Sequence, residues 1–264
     1  MCSSTNTHSQ MIIEAAQAGK HIFCEKPIDF SIDRIQAALD AVEKAGVKLQ
    51  IGFNRRFDHN FKRVRELIQN GEIGDVQIVN VISRDPAPPP IEYVKVSGGL
   101  FLDMTIHDFD MVRYLTGSEV TEVYTNAGVL VDERIGEAGD VDTALISLKF
   151  QNGAIGTIDN CRQAVFGYDQ RVEVLGSKGG ITVTNDIPTN VVLSTDSAVI
   201  AGKPKYFFLE RYLESYEAEM KEFFRCILND TEPVVSGIDG LKPVLIGLAA
   251  QESCRTGKPV KLEG

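Results

Sequence analysis

The sequence predicts an α/β fold: the carboxyl-terminal half of a doubly wound parallel sheet, followed by an α+β region built on a large, mostly antiparallel open sheet. Three observations carry this. The first 53 residues alternate helix and strand patterns with short links, residues 120–193 are strand-rich, and three strands predicted within the first 56 residues each end at a polar cluster. Those clusters are Ser3-Ser4-Thr5-Asn6, Glu25-Lys26-Pro27 and Asn54-Arg55-Arg56. Ligands of open α/β sheets bind outside the carboxyl ends of the strands, so the three clusters should share one crevice.

The elements follow in order. Thr5 to Thr7 offer a cap for a helix through Ala18 that Gly19 ends, and His21 to Cys24 reads as a short apolar strand. Ser31 caps a second helix, whose Ile32, Ile35, Ala38, Leu39 and Val42 recur at three- and four-residue spacing, with Gly46 as its stop. Lys48 to Phe53 is the next strand. Strand, helix and strand with short links make a βαβ unit, for which a parallel right-handed crossover is the default. Asp58 then opens a helix through Gln69, and Val76 to Ile82 is a strand. The run Asp85-Pro86-Ala87-Pro88-Pro89-Pro90 cannot donate to a central ladder, so it should cross the surface or the mouth of a site. Phe101 to Leu115 reads as one amphipathic helix ended by Gly117. Strand patterns occupy Val123 to Val131, Thr143 to Phe150, Ala154 to Asn160 beyond an Asn152-Gly153 turn, Gln170 to Leu175, and Ile181 to Val183. The acidic stretch from Asp132 to Asp142 reads as a solvated face. Helices over Glu214 to Leu228 and Ile238 to Cys254 close the chain. The domain boundary falls at 53: residues 1–53 form a partial dinucleotide-binding unit, and 54–264 a substrate-binding and oligomerisation unit.

Composition narrows the function. A net charge of -10 disfavours nucleic acid or an anionic membrane as partner, because either needs a lysine and arginine surplus. A small-molecule ligand fits better. There is no charged-then-apolar signal pattern at the amino end and no stretch near the ~20 apolar residues of a membrane span. The five cysteines form no C-x-x-C pair, which suits a reducing compartment and places the protein in the cytoplasm. His8, His21, His59 and His107 lack metal-ligand spacing, so no metal is expected. Neither a G-x-S-x-G elbow nor a Walker-type phosphate loop is present, which argues against a serine hydrolase or P-loop nucleotidase.

Within the predicted 101–115 helix, Asp103 and His107 are four apart and would project from one face. A histidine accepts and returns a proton near neutral pH, a carboxylate one turn away can orient it, and a lysine at a strand end can stabilise a developing alkoxide. Alcohol oxidation by hydride transfer needs that set, here Lys26, Asp103 and His107. Each member also has a bland reading: a satisfied structural histidine, a surface Asp-His pair, a solvated lysine. One of Arg55 and Arg56 should contact the ligand, from its place at the third strand end.

Glu25-Lys26-Pro27, the Gly98-Gly99 helix start and Asp103-x-x-x-His107-x-x-Asp110 resemble the Gfo/Idh/MocA oxidoreductases over essentially the whole chain. Within that family, the stretch from Ser83-Arg84-Asp85-Pro86 to His107-Asp108-Phe109-Asp110 is similar to the inositol 2-dehydrogenases. The resemblance implies a Rossmann domain, then an α/β domain on an open antiparallel sheet whose free face pairs subunits into a homo-oligomer. It implies NAD or NADP as cofactor and a sugar or polyol as substrate, with Lys26, Asp103 and His107 as the catalytic group. It further implies that Ser4, Asn6, His8, Glu25 and Lys26 approach the nicotinamide half of the cofactor, with Arg56 and Tyr168 near the polyol. The family's G-x-G-x-x-G turn and its ribose-reading residue have no counterpart in this sequence. They are expected upstream of Met1, over roughly 70 residues on βα units of about 30 each. The leading expectation is oxidation of a hydroxyl of inositol or a related cyclic polyol to a ketone. His107 would take the proton, Lys26 polarise the oxygen and Asp103 orient the pair. Two alternatives stay open: another sugar dehydrogenase of the family, and a catalytically silent truncated remnant that acts only by binding.

Overall fold

The computed structural model describes residues 1–262. Helix α1 (Thr5–Gln17) leads into strand β1 (Ile22–Glu25), helix α2 (Ile32–Ala45) and strand β2 (Leu49–Gly52). β1 and β2 pair in parallel, with Ile22 opposite Leu49 and Glu25 opposite Gly52. The start of the chain runs beside β1, where the Glu25 N–H donates to the Met1 carbonyl at 2.9 Å. Ser4, rather than Thr5 to Thr7, is the residue before α1, and it caps without a side-chain bond.

A 3-10 turn at Asn54–Phe57 follows β2, then α3 (His59–Gln69), whose first N–H groups, at Asn60 and Phe61, donate to the Asp58 carboxylate. Strand β3 (Val76–Arg84), the proline loop, and helices α4 (Ile91–Val94), α5 (Gly99–Asp103) and α6 (Ile106–Thr116) come next. The rest comprises β4 (Val120–Gly128), α7 (Glu133–Glu137), β5 (Thr143–Phe150), β6 (Ile155–Cys161), β7 (Asp169–Gly176) and β8 (Gly180–Val183). After them run β9 (Val192–Ser194), β10 (Val199–Ala201), α8 (Phe208–Arg211), α9 (Leu213–Asn229), α10 (Gly237–Thr256) and β11 (Val260–Lys261). β9 and β10 form an exposed hairpin apart from the main sheet. Among the described residues no helix is long and apolar enough to cross a membrane.

The large sheet has the order β11-β4-β5-β6-β3-β7-β8. Every pairing is antiparallel except β3 with β6. The fold class is the one the sequence predicts. Strict alternation in β5 turns Ala144, Ile146, Leu148 and Phe150 inward and Leu145, Ser147 and Lys149 outward. The inner face packs on α6 and α10 through Val79, Phe109, Val112 and Ile246. A second core surrounds β1 and β2, and Val235, Leu241 and Val244 from the far end of the chain join it. α10 therefore touches both cores. Gly240 lets it approach closely, since a Cβ there would stand 2.5 Å from Ile28 Cδ1.

Two expectations are corrected here. The predicted 101–115 helix is two helices, broken at Met104 and Thr105. The Thr105 N–H reaches back five residues to the Leu100 carbonyl (2.9 Å), and its hydroxyl donates to Asn160 Oδ1 of β6 at 2.6 Å. That tertiary bond pulls the chain out of helical register. The acidic stretch 132–142 is a solvated face only in part: Glu133 and Glu137 of α7 are exposed, but Ile135 and the Asp142 side chain are buried.

Candidate active site

The carboxyl ends of β1 and β2, the helix break and the proline loop enclose a cavity of ≈ 510 Å³. Lys26, Asp103, His107, Arg55, Arg162 and Tyr168 stand on its polar walls, while Pro86 to Pro90 and Tyr206 to Phe208 cover it. A second crevice of ≈ 980 Å³ runs past Ser3, Ser4, Asn6, Glu25 and Pro27. Lys26, Tyr93 and Asp103 line both, so the two spaces adjoin at these residues.

Lys26 is held by the break between α5 and α6. Its ammonium donates to the Asp103 main-chain carbonyl at 2.6 Å and lies 3.6 Å from the Asp103 carboxylate. That carbonyl is free because the α5 helix ends at Asp103. Burial lowers the Lys26 pKa, and the Arg55 and Arg162 cations lower it further against the pull of Asp103 and Glu25. The Asp103 carboxylate accepts from the Tyr93 hydroxyl (2.9 Å) and from Arg162 Nη2 (3.0 Å). Burial alone would raise its pKa, but Lys26, Arg162 and the Tyr93 bond together hold it below the usual carboxylate range.

His107 does not bond to Asp103. Its Nδ1 is buried without a hydrogen-bond partner, and its ring meets Phe53 edge-on with centroids 5.9 Å apart. The predicted orientation of His107 by Asp103 is thus corrected: the break rotates the two side chains apart, and the carboxylate serves Lys26 instead. Burial, with Lys26 and Arg55 nearby, holds the His107 pKa well below its ordinary value. The ring is therefore neutral near pH 7.

The other positions divide. Tyr168 lines the cavity and its hydroxyl accepts from Arg55 Nη2 at 3.3 Å. Arg55 also pairs with the buried Asp108 at 2.5 Å. Arg56, expected at the substrate, is off the cavity wall, because Asp110 (2.6 Å) and Asp239 (2.8 Å) draw its guanidinium into the interior. Its neighbour Arg55 takes the place on the wall. Ser4, Asn6, Glu25 and Lys26 face the crevice. His8 borders it too, but its ring lies between the Pro27 carbonyl (2.9 Å from Nδ1) and the Ser3 carbonyl (3.0 Å from Nε2), to one of which its single N–H donates. It packs between the chain at Ser3 and the turn at Pro27, with both ring nitrogens turned to main-chain carbonyls. Residues that sequence reasoning missed are Arg162, Asp85 and Tyr93, whereas Asn54 lines the cavity as its strand-end cluster predicts. Asp85 sits at the flagged proline loop, whereas nothing near Arg162 in sequence marks it.

The crevice is open to part of a dinucleotide. It lies at strand carboxyl ends, and the α1 N-terminus opens onto it with no side chain occupying the cap.

Comparison with known proteins shows the family. Residues 1–53 match an oxidoreductase family with an NAD-binding Rossmann fold, and residues 61–182 match the GFO/IDH/MocA C-terminal domain. An uncharacterized oxidoreductase, YrbE, from Bacillus subtilis is 55% identical over 100% of this chain and 77% of its own. Myo-inositol 2-dehydrogenase from Thermotoga maritima is 52% identical over 100% and 79%. The crystal structure of scyllo-inositol dehydrogenase from Lactobacillus casei, with bound NAD(H) and scyllo-inositol, superposes with a TM-score of 0.91 at 30% identity, covering 98% of this chain and 78% of that one.

Proposed function

Because this chain belongs to the GFO/IDH/MocA oxidoreductase family, we propose that it oxidises a ring hydroxyl of inositol or a related cyclic polyol to a ketone, with NAD as cofactor. One observation carries the reading. Lys26 and Asp103 stand where a cavity of small-molecule size, polar on one wall, adjoins the crevice at the strand ends, and His107 stands on the cavity wall. NAD, when bound, supplies the hydride-accepting ring. The neutral His107 imidazole takes the hydroxyl proton, and Lys26 donates to the oxygen as it gains charge. Asp103 fixes Lys26 through its carbonyl and carboxylate, while Arg55 and Tyr168 close the far wall. Ser4, Asn6 and Glu25 flank the nicotinamide half, with His8 holding the turn they stand on.

Two further assignments belong to this reading. Residues 1–53 serve the cofactor and 54–264 the substrate, and the free face of the large sheet joins copies into a homo-oligomer. The enzyme works in the cytoplasm, a placement supported by five free cysteines.

The test uses the 264-residue chain and a version extended at its amino end by the corresponding segment of the Thermotoga relative. Both are offered NAD or NADP with myo-inositol, scyllo-inositol and a set of aldoses, and reduced nicotinamide is followed by absorbance. The extended protein should turn over an inositol. Turnover confined to aldoses, or none with any substrate, would overturn the reading. In the same protein, Lys26→Ala and His107→Ala should each lower kcat by about 10² or more.

A further inference from the structure

Arg162 follows β6, and its guanidinium is almost wholly buried in the cavity wall. It spans two carboxylates: Nη2 donates to Asp103 Oδ2 at 3.0 Å, and Nη1 lies 3.5 Å from Asp85 Oδ2. Asp103 Oδ1 meanwhile accepts from Tyr93 and faces Lys26. The two oxygens of Asp103 therefore serve different partners, Oδ2 the arginine and Oδ1 the lysine and tyrosine. Asp85 has Arg162 as its ion-pair partner, and burial pushes its pKa up to about 6 even with that partner and Arg55 near it.

We propose that Arg162 is a positioning residue of this site with Asp85 as its counter-ion. It fixes the Asp103 carboxylate where Lys26 reaches it, and it takes up part of that carboxylate's charge, so that Lys26 is less strongly held as a cation than in a private Lys26–Asp103 pair. The inference rests on the proposed role of Lys26. The charges around Lys26 come from every element packed on it: Glu25 from β1, Arg55 from the turn after β2, Asp103 from α5 and Arg162 from the end of β6. His107 of α6 faces it uncharged. Asp140, whose carboxylate accepts from the Leu100 N–H at 2.9 Å, adds a further negative charge beside Arg162.

This arrangement makes the two partners of Arg162 act in opposite directions. Removing the arginine leaves Asp103 to Lys26 alone and takes away a neighbouring cation, so the lysine holds its proton to higher pH. Removing the Asp85 charge frees Arg162 to bind Asp103 more fully and leaves its charge unbalanced, so the lysine lets go earlier.

The experiment is competitive acetylation of the cofactor-free 264-residue chain across pH, read at Lys26 by mass spectrometry with the exposed Lys44 of α2 as internal reference. Arg162→Met should raise the midpoint of Lys26 labelling by about half a pH unit or more, the scale of losing one charge within a few ångströms. Asp85→Asn should lower it, and Arg162→Lys should leave it near the parent. Midpoints that stay put, or that move the same way in Arg162→Met and Asp85→Asn, would overturn the proposal, because a merely structural role alters labelling rates without opposed shifts. If Arg162→Met does not fold, the isosteric Asp85→Asn decides alone, and an unlowered midpoint refutes it. The labelling needs neither substrate nor NAD. Opposed shifts in a protein inactive on inositols would sink the proposed function and leave this inference standing.

Discussion

Glu219 on α9 is 1% exposed, its Oε2 has no hydrogen-bond partner, and burial together with the Glu25 carboxylate pushes its pKa up to about 9. It is therefore a neutral acid at pH 7 in the folded protein, whereas the unfolded chain loses that proton near 4.5. Between those values the folded state binds the extra proton, so stability is fully present below about 4.5 and is lost as pH rises towards 9, by at most ~1.4 kcal/mol per pH unit. Glu219→Gln cannot titrate. The difference in Tm between variant and parent should grow in favour of the variant from pH 5 to pH 9 in thermal unfolding by circular dichroism. A constant difference across that range would mean that Glu219 is ionised in the fold. The same scale shows why adjacent residues part company: Arg55 and Arg56 look alike in sequence, yet one faces the cavity and the other is claimed by Asp110 and Asp239. Carboxylates 54 and 183 residues away make that choice, and no local pattern carries it.

Elements show where local pattern suffices and where it fails. The alternation of Thr143 to Phe150 gives β5 with its observed ends, and the spacing from Ile32 to Val42 with Gly46 gives α2. Both depend on residues within the element. The α5–α6 break depends on Asn160, which lies 55 residues on in β6, so the continuous apolar pattern of 101–115 conceals it. Lys26 and His107 were legible as strand-end and helix residues, but the bond that seats Lys26 exists only because of that break. The acidic stretch 132–142 misleads in another way. Asp142 reads as one more surface carboxylate, but it accepts from the N–H groups of Leu130 (2.8 Å), Val131 (2.9 Å) and Asp132 (3.0 Å) at the turn into α7. Burial alone would raise its pKa, and the three backbone bonds outweigh that and hold it below the ordinary value. Asp142→Ala should cost about 1–3 kcal/mol, as expected for stranding buried donors, measured by urea unfolding at pH 7. A loss within experimental error would mean that the turn finds other acceptors.

At the scale of the whole molecule, the outer face of the large sheet carries the remaining apolar signal. Ile78 on β3 lies opposite Ile155 on β6 and Leu175 on β7, a row of three large side chains across adjacent strands. Ile155 is 51% exposed and Leu175 43%. A second pair of side chains, Leu145 and Ile82, flanks Asp159 from its two neighbouring strands, and Leu145 is 58% exposed. Between the rows stand Asn80, Thr157 and Ser147, which are uncharged and aligned across β3, β6 and β5. One open face is normal for an antiparallel sheet, and the ordered apolar rows on it are the surface that the proposed homo-oligomer would cover. Two copies that each carry a charge of -10 repel one another, so in the proposed assembly the attraction would come from these rows and not from general electrostatics. A two-fold contact uses the same patch on both copies, so each substitution acts twice. Leu145→Arg with Ile155→Arg places two buried cations per copy in such a contact while touching neither core. Sedimentation velocity at micromolar concentration should show the parent self-associated and the double variant monomeric, with thermal unfolding of the monomer still cooperative. A parent that sediments as a monomer, or a double variant that assembles unchanged, would remove the sheet face from the interface and leave the exposed β9–β10 hairpin as the next surface to test by deletion.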